Sequence, residues 1–362
     1  MTKEKQKIPL LGMSLDELKA VAAQIGLPAY AAKQMADWLY GKRISSIAQM
    51  TNMAAAKRAL LEETHEVGAY APAEQVQSVD GTTKYLFSTA GGSVETVSIP
   101  SAGKRLTLCV SSQAGCKMNC LFCMTGKQGF NGNLTVREII NQIHSVPEST
   151  HVTNIVFMGM GEPLDNPDAL FRTLDILTAS WGYGWSPKRI TVSTAGLLKG
   201  LQRFLEESSC HLAISLHSPY PEERLSLMPI EKACPAEQII RLIRQYDFRH
   251  QRRVSFEYIL FEGRNDTTVH AAALARLLKG IPCRVNLIRF HALPDVSLRS
   301  SSPQQMELFC HTLNAKGIIC TVRTSKGEDI MAACGMLSGK QTSFSRYQPA
   351  MQNKSYQSSF PD

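Results

Sequence analysis

Residues 106–123 read LTLCVSSQAGCKMNCLFC: an apolar run, a short polar turn, and then three cysteines spaced C-x3-C-x2-C. The run LTLCVS favours a strand, because β-branched and apolar side chains suit a pleated, half-buried surface. Cys116, Cys120 and Cys123 lie close enough to wrap one cofactor, and thiolate is the usual ligand of iron-sulfur clusters. A cubane held by three cysteines leaves one iron open, and an open metal position can take a substrate. The competing readings are a structural zinc site or thiols that are merely near one another. Zinc usually pairs a C-x2-C with a second, distant pair, and no such pair follows in this sequence.

An open iron with this spacing points to S-adenosylmethionine. Its amino and carboxylate groups can fill the fourth position, so that one electron entering the sulfonium releases a 5′-deoxyadenosyl radical. Phe122 inside the motif, with Gly126 and Gly129 after it, fits a loop that curls around a bulky group.

Outward from this stretch, strand and helix alternate. Strands are expected at 154–158, 189–193, 211–215, 254–260, 284–288 and 319–324. Helices are expected over 135–143, 168–180, 235–246, 267–278 and 302–316. Thr135 and Glu138 make a capping box for the first of them. Regular βα alternation implies parallel strands with helical crossovers, which suits an open α/β partial barrel of six units; a doubly wound sheet is the alternative. Upstream, KYLFST and SVETVSIP around Gly91-Gly92 read as short strands. Residues 1–70 read as a small helical module, opened by a capping box at Ser14 and Glu17. The domains expected are therefore 1–70, a short β linker at 71–105, the barrel at 106–337, and a polar, flexible tail at 338–362.

In such folds the carboxyl ends of the strands carry the chemistry. The cysteine motif follows the first strand, and Gly159-Met160-Gly161-Glu162-Pro163 follows the second. Ser193 ends the third, Ser215-Leu216-His217 ends the fourth, and His291 lies past the next-to-last. Cys109 sits on the first strand. Cys334 stands among Ala332, Ala333 and Gly335, where small residues let a loop pack close to a ligand. Cys210, Cys234, Cys283, Cys310 and Cys320 read as ordinary buried thiols.

The 362 residues include 44% hydrophobic and 19% charged, a balance that excludes a disordered chain. No apolar run approaches the roughly 20 residues a membrane span needs. The start MTKEKQKIPLLGMS is basic with little apolar length, unlike a secretory signal, so a cytoplasmic location and no membrane partner are expected. The formal charge of +8 fits a polyanionic partner, with Arg249–Arg253 as one basic stretch.

The stretches LCVSSQAGCKMNCLFCMTGKQGFNGNLT (108–135), FMGMGEPLDN (157–166), SLHSP (215–219) and AACG (332–335) together resemble the RlmN/Cfr-type radical-SAM RNA adenine methyltransferases. The resemblance runs from about Leu15 to Gly339. It implies a partial (β/α)6 TIM-like barrel with an N-terminal helical domain for RNA. It implies a 4Fe-4S cluster on Cys116, Cys120 and Cys123, and S-adenosyl-L-methionine contacted by Gly161, Glu162, Ser193, Ser215, Leu216 and His217. His291 stands where the family usually has Asn in the same role. Cys334 is implied as the cysteine that is methylated and carries the carbon to the base. Cys109 is implied to resolve the adduct, leaving a Cys109–Cys334 disulfide, and Glu95 is implied as the proton acceptor.

The resemblance further implies 23S rRNA as partner, tRNA as a second one, and an electron donor such as flavodoxin or ferredoxin. GFNGNLT and KQGF sit closer to the branch that methylates carbon 2 of adenine than to the antibiotic-resistance branch that methylates carbon 8. A radical-SAM enzyme acting on something other than RNA is the remaining alternative.

Overall fold

Strand order decides between the two sheet architectures. In the computed structural model, which describes residues 7–248 and 254–339, three helices come first. They are α1 (Leu15–Gln24), α2 (Ala31–Ala36) and α3 (Ala55–Thr64), framed by the two-residue strands β1 (Ile8–Pro9) and β2 (His65–Glu66), which pair in parallel. The Ser14 hydroxyl accepts the Glu17 N–H at 3.3 Å, and the Glu17 carboxylate accepts the Ser14 N–H at 2.7 Å. A cap of this kind stabilises a helix start by about 1 kcal/mol. The α1 face formed by Leu18, Val21 and Ala22 is buried, as its spacing requires.

Next come β3 (Glu74–Gln77), β4 (Thr83–Thr89) and β5 (Gly92–Ser101), an antiparallel meander. Then follow β6 (Arg105–Cys109), the small hairpin β7 (Gln113–Gly115) and β8 (Phe130–Asn133), and six further strands. These are β9 (Asn154–Phe157), β10 (Ile190–Thr194), β11 (His211–Ser215), β12 (Val254–Leu260), β13 (Cys283–Arg289) and β14 (Ile319–Val322). A short helix, α4 (Met124–Lys127), leaves the cysteine motif. The crossovers are α5 (Val136–His144), α6 (Pro167–Thr178), α7 (Leu198–Glu207), α8 and α9 (Pro221–Leu227, Ala236–Ile243), α10 (Thr268–Leu277) and α11 (Pro303–Ala315).

One ten-stranded sheet runs in the order β14-β13-β12-β11-β10-β9-β6-β5-β4-β3, and every pair from β6 to β14 is parallel. Sequential order is the mark of a singly wound barrel; a doubly wound sheet reverses direction at a switch point. The partial barrel is therefore correct and the doubly wound alternative is not. The meander at 74–101 is continuous with the barrel sheet, because β5 pairs β6 antiparallel from Val97↔Cys109 to Ser101↔Arg105.

The main apolar core lies between the sheet and its helices, built from strand residues that alternate with the cavity-facing ones, among them Ile155, Val192, Ile214, Phe256 and Val285, all at most 1% exposed; a second cluster gathers Phe122, Leu227, Met228, Phe261 and Phe290. Burial on this scale is the main stabilising contribution. Of the tail expected at 338–362, Ser338 and Gly339 are described and positions from 340 on lie outside the described residues, as does the basic stretch 249–253. Among the described residues no helix is long and apolar enough to cross a membrane.

Candidate active site

At the carboxyl ends of the parallel strands lies a cavity of about 180 Å³. Cys116, Cys120 and Cys123 line one part of it; Gly161, Glu162, Ser193, Ser215 and His217 line another; Cys109 and Cys334 line a third. Leu216, Glu95 and His291 are not among the lining residues.

The three clustered thiols sit on the turn between β7 and α4. Asn119 takes φ +48°, a left-handed turn that its short polar side chain tolerates. The Leu121 N–H donates to the Leu227 carbonyl at 2.9 Å, and the Met124 N–H to the Gly335 carbonyl at 2.8 Å, so the motif is pinned on both sides. Burial pushes all three thiols up, Cys116 to about 12 and Cys120 well above its ordinary value. Thiols so disfavoured as free anions need a cationic centre to ionise against, as an iron cluster provides. Three thiols lining one cavity, with no His or fourth Cys in the C-x3-C-x2-C turn, are a donor set that fits an iron-sulfur cluster with one iron left open.

The Gly-x-Gly-Glu loop after β9 is held by Gln113, whose Oε1 accepts the Glu162 N–H at 2.9 Å. Its amide nitrogen donates to Asn133 and Asp165 at 2.8 and 2.9 Å. Gly161 has φ +98°, and a Cβ there would lie 2.5 Å from the Gln113 Cβ, so only glycine fits. The Glu162 carboxylate accepts the N–H groups of Ala195 at 2.7 Å and Leu164 at 3.0 Å. Burial nevertheless outweighs those bonds and raises it to about 7. A buried carboxylate poised in this way suits an ammonium ligand.

His217 stands at φ +60°, a strained conformation for a residue with a side chain, and is buried. Its Nδ1 accepts the Ile259 N–H at 3.0 Å, which leaves the proton on Nε2, and its ring packs edge-on against Phe122 with centroids 4.6 Å apart. Burial first, and the Arg224 charge second, lower it to about 3, so the ring is neutral.

Arg224 ties this region together and was not foreseen from sequence. Its guanidinium is fully buried and donates to the carbonyls of Leu216 at 3.1 Å, Ala195 at 2.9 Å, Ser215 at 3.3 Å and Cys234 at 3.3 Å, and to the Glu231 carboxylate. Leu216 is thus fixed through its backbone beside Ser215 and His217, which do line the cavity. Glu257 on β12 and Arg323 after β14 also line the cavity, as an ion pair at 3.5 Å. A lone carboxylate in the apolar strand VSFEYIL was the signal for Glu257; Arg224, on a helix rich in charge, gave none.

His291 faces the loop after β14: its Nε2 meets the Ser325 hydroxyl at 3.0 Å and its Nδ1 lies 3.2 Å from the Glu328 carboxylate. Glu95 is buried on β5, with Oε1 2.9 Å from the Lys84 ammonium and Oε2 accepting the N–H groups of Ser338 and Gly339 at 2.6 and 3.1 Å. Cys109 is buried and pushed up to about 12, whereas Cys334 is exposed, and both are free thiols. Of the cysteines read as ordinary buried thiols, Cys310 is only half-buried.

Residues 110–275 match the model of the radical-SAM superfamily, and residues 8–67 match the ribosomal RNA large subunit methyltransferase N-terminal domain. A probable dual-specificity RNA methyltransferase RlmN from Parabacteroides distasonis is 68% identical over 92% of this chain and 97% of its own length. The dual-specificity RNA methyltransferase RlmN of Marinobacter nauticus is 40% identical over 94% and 95%. The crystal structure of a radical-SAM methyltransferase from Sphaerobacter thermophilus superposes with a TM-score of 0.86 at 38% identity, covering 92% of this chain and 100% of that one. Identity of this order across both the helical module and the barrel, joined to three thiols spread around one cavity, makes the chain a member of the RlmN family of radical-SAM methyltransferases, with a 4Fe-4S cluster and S-adenosylmethionine as its cofactors.

Proposed function

We propose that this protein methylates carbon 2 of an adenosine in 23S rRNA, with an adenosine beside the anticodon of tRNA as a second substrate, and that the transferred carbon travels on Cys334. The observation that carries the reading is that two free thiols, Cys109 and Cys334, open onto the same cavity as the three cluster cysteines. RNA as substrate is supported by the names of the relatives and by a net charge of +8.

When bound, the cluster and S-adenosylmethionine supply a methyl group and a one-electron route to a carbon radical. Cys116, Cys120 and Cys123 would hold the cluster. Glu162 would take the ammonium of S-adenosylmethionine, and Gly161, Ser193, Ser215, Leu216 and His217 would form the rest of its seat. The exposed Cys334 accepts a methyl group on sulfur and, once a hydrogen atom has been taken from that methyl, presents the carbon to the electron-poor adenine ring. Addition leaves an unpaired electron on the ring; that electron would return to the cluster as a proton leaves the ring carbon, and the base is then joined to Cys334 by a sulfur–carbon bond. The Cys109 thiolate attacks the Cys334 sulfur, the electron pair of the broken sulfur–carbon bond stays on the carbon and takes up a proton, and a methylated base and a Cys109–Cys334 disulfide remain. The base reaches the barrel mouth unstacked, which RNA loops permit at modest cost. The site of action is the cytoplasm, and a flavodoxin- or ferredoxin-like protein delivers the electron.

Mass spectrometry of RNA methylated by the anaerobically reconstituted enzyme tests this directly. A methyl on carbon 2, lost in Cys334→Ala, is the expected result. A carbon-8 product would overturn the regiochemistry, and undiminished transfer by Cys334→Ala would overturn the carrier role.

A further inference from the structure

The loop that carries Cys334, from Arg323 to Gly339, is gripped at both ends by the antiparallel meander. At its start the Asp80 carboxylate, in the turn between β3 and β4, accepts the Gly327 N–H at 3.0 Å and the Thr82 N–H at 2.9 Å. In the same turn the Ser78 hydroxyl and the Val79 N–H donate to Asp329 at 2.6 and 3.2 Å. At the far end Glu95 on β5 accepts the N–H groups of Ser338 and Gly339, backed by the buried Lys84 ammonium.

Both gripped ends are glycines with positive φ, Gly327 at +64° and Gly339 at +61°. A Cβ on Gly327 would sit 2.9 Å from Thr82 Cγ2, and one on Gly339 would collide with the Ser93 carbonyl oxygen. Each end is thus pressed against the meander closely enough to exclude a side chain. Just before its far end the loop also rests on α4, where the Thr125 hydroxyl donates to the Leu337 carbonyl at 2.7 Å.

The same strand holds the other sulfur. In the β5–β6 ladder Val97 is registered opposite Cys109, two residues along from Glu95. One strand therefore fixes the backbone of Cys109 by its ladder and the loop of Cys334 by a side chain.

We propose that the meander sets the spacing of the two sulfurs, with Asp80 and Glu95 as positioning residues that hold the Cys334 loop opposite Cys109. Glu95 then has a task independent of any proton transfer. The inference rests on Cys109 and Cys334 acting as a pair, and it predicts a property that needs neither RNA nor turnover.

That property is the effective concentration of one thiol toward the other. Anaerobic holoenzyme is equilibrated in buffers of reduced and oxidised glutathione, in which each Cys109–Cys334 disulfide formed converts one glutathione disulfide into two glutathione thiols. Quenched samples are read by peptide mass spectrometry. Asp80→Ala should lower the equilibrium constant about tenfold, the loss expected for one charge-assisted hydrogen bond. Ser338→Pro, which removes a donor while leaving Glu95 in place, should do likewise. Asp80→Asn offers one oxygen where two N–H donors, of Thr82 and Gly327, are accepted, and should fall between Asp80→Ala and wild type.

In turnover the Asp80→Ala enzyme should release more 5′-deoxyadenosine per methyl transferred, a ratio that a general loss of folded protein would not move. Equilibrium constants within twofold of wild type for both Asp80→Ala and Ser338→Pro would overturn the proposal while leaving the methyl-transfer reading intact. Should Asp80→Ala not fold, Ser338→Pro alone decides.

Discussion

Replacing Arg224 by methionine isolates the contribution of a charge that touches no ligand. Methionine keeps much of the stem volume and removes every donor. Arg224 is fully buried and Glu231 is 5% exposed, so the substitution leaves a carboxylate inside the protein with only the Ala236 N–H, at 3.0 Å, to satisfy it. Breaking a buried pair by removing one partner costs about 3–5 kcal/mol. Orphaned carbonyls add about 1–3 kcal/mol each where no other donor reaches them, and the contributions overlap. A loss of at least about 4 kcal/mol follows, out of a total stability on the order of 5–15 kcal/mol.

Urea unfolding of anaerobically purified protein measures it, through a shifted midpoint at constant slope. The double variant Arg224→Met/Glu231→Gln removes the stranded charge and should recover about half of the loss. Because Ala195, Ser215 and Leu216 would still lack their common donor, the double variant should bind S-adenosylmethionine at least about tenfold more weakly, as one good hydrogen bond in a preorganised site is worth. A single variant that loses less than about 1 kcal/mol, or a double variant no more stable than the single, would refute the role given to the guanidinium.

Serine at Cys116, Cys120 or Cys123 should leave a chain that folds but purifies colourless with far less than about four irons, since cluster retention needs all three thiolates; a brown, iron-replete variant would contradict the assignment. Gly161→Ala brings a methyl to 2.5 Å from Gln113 in a left-handed backbone, and should weaken S-adenosylmethionine binding at least about tenfold by calorimetry, with unchanged affinity counting against the loop's role. His217 titrates near 6.5 when unfolded and about 3 when folded, so its neutral form favours the fold above pH 6.5, and that contribution is lost as pH falls from 6.5 towards 3. Urea midpoints measured between pH 7 and pH 5 should therefore fall less steeply in His217→Gln than in wild type, by up to about 1.4 kcal/mol per pH unit; identical slopes would show that the ring is not held neutral.

What could be read from sequence had local causes. Cys116, Cys120 and Cys123 announce themselves because their spacing is itself the binding geometry. Strands such as 211–215 and 254–260 were legible to the residue, since continuous apolar runs between helices have few other uses. The helix α7 is faint in the sequence because Gly200 weakens its helical signal; the glycine is there since a Cβ would lie 2.8 Å from that of Leu164. The hairpin β7–β8 was invisible for a related reason, being glycine-rich and bulged at Ala114/Gly115. Gln113 and the grip on the Cys334 loop depend on partners far along the chain, such as Asp80 with Gly327, and Arg224 bonds mainly to backbone carbonyls, which every residue carries, so no local pattern marks any of them. His291 turns its ring nitrogens to Ser325 and Glu328, partners in a loop more than thirty residues further on that its own surroundings in the sequence do not announce.

Among the described residues the ten-stranded sheet has two margins, β3 at one and β14 at the other, and no ladder joins them. The seam is spanned by contacts of Ser78, Val79 and Asp80 with Lys326, Gly327 and Asp329. A hoop fastened by a buckle differs from a welded ring: its closure hangs on a few side-chain bonds, so a single substitution at the fastening can loosen it without cutting any strand from its neighbour.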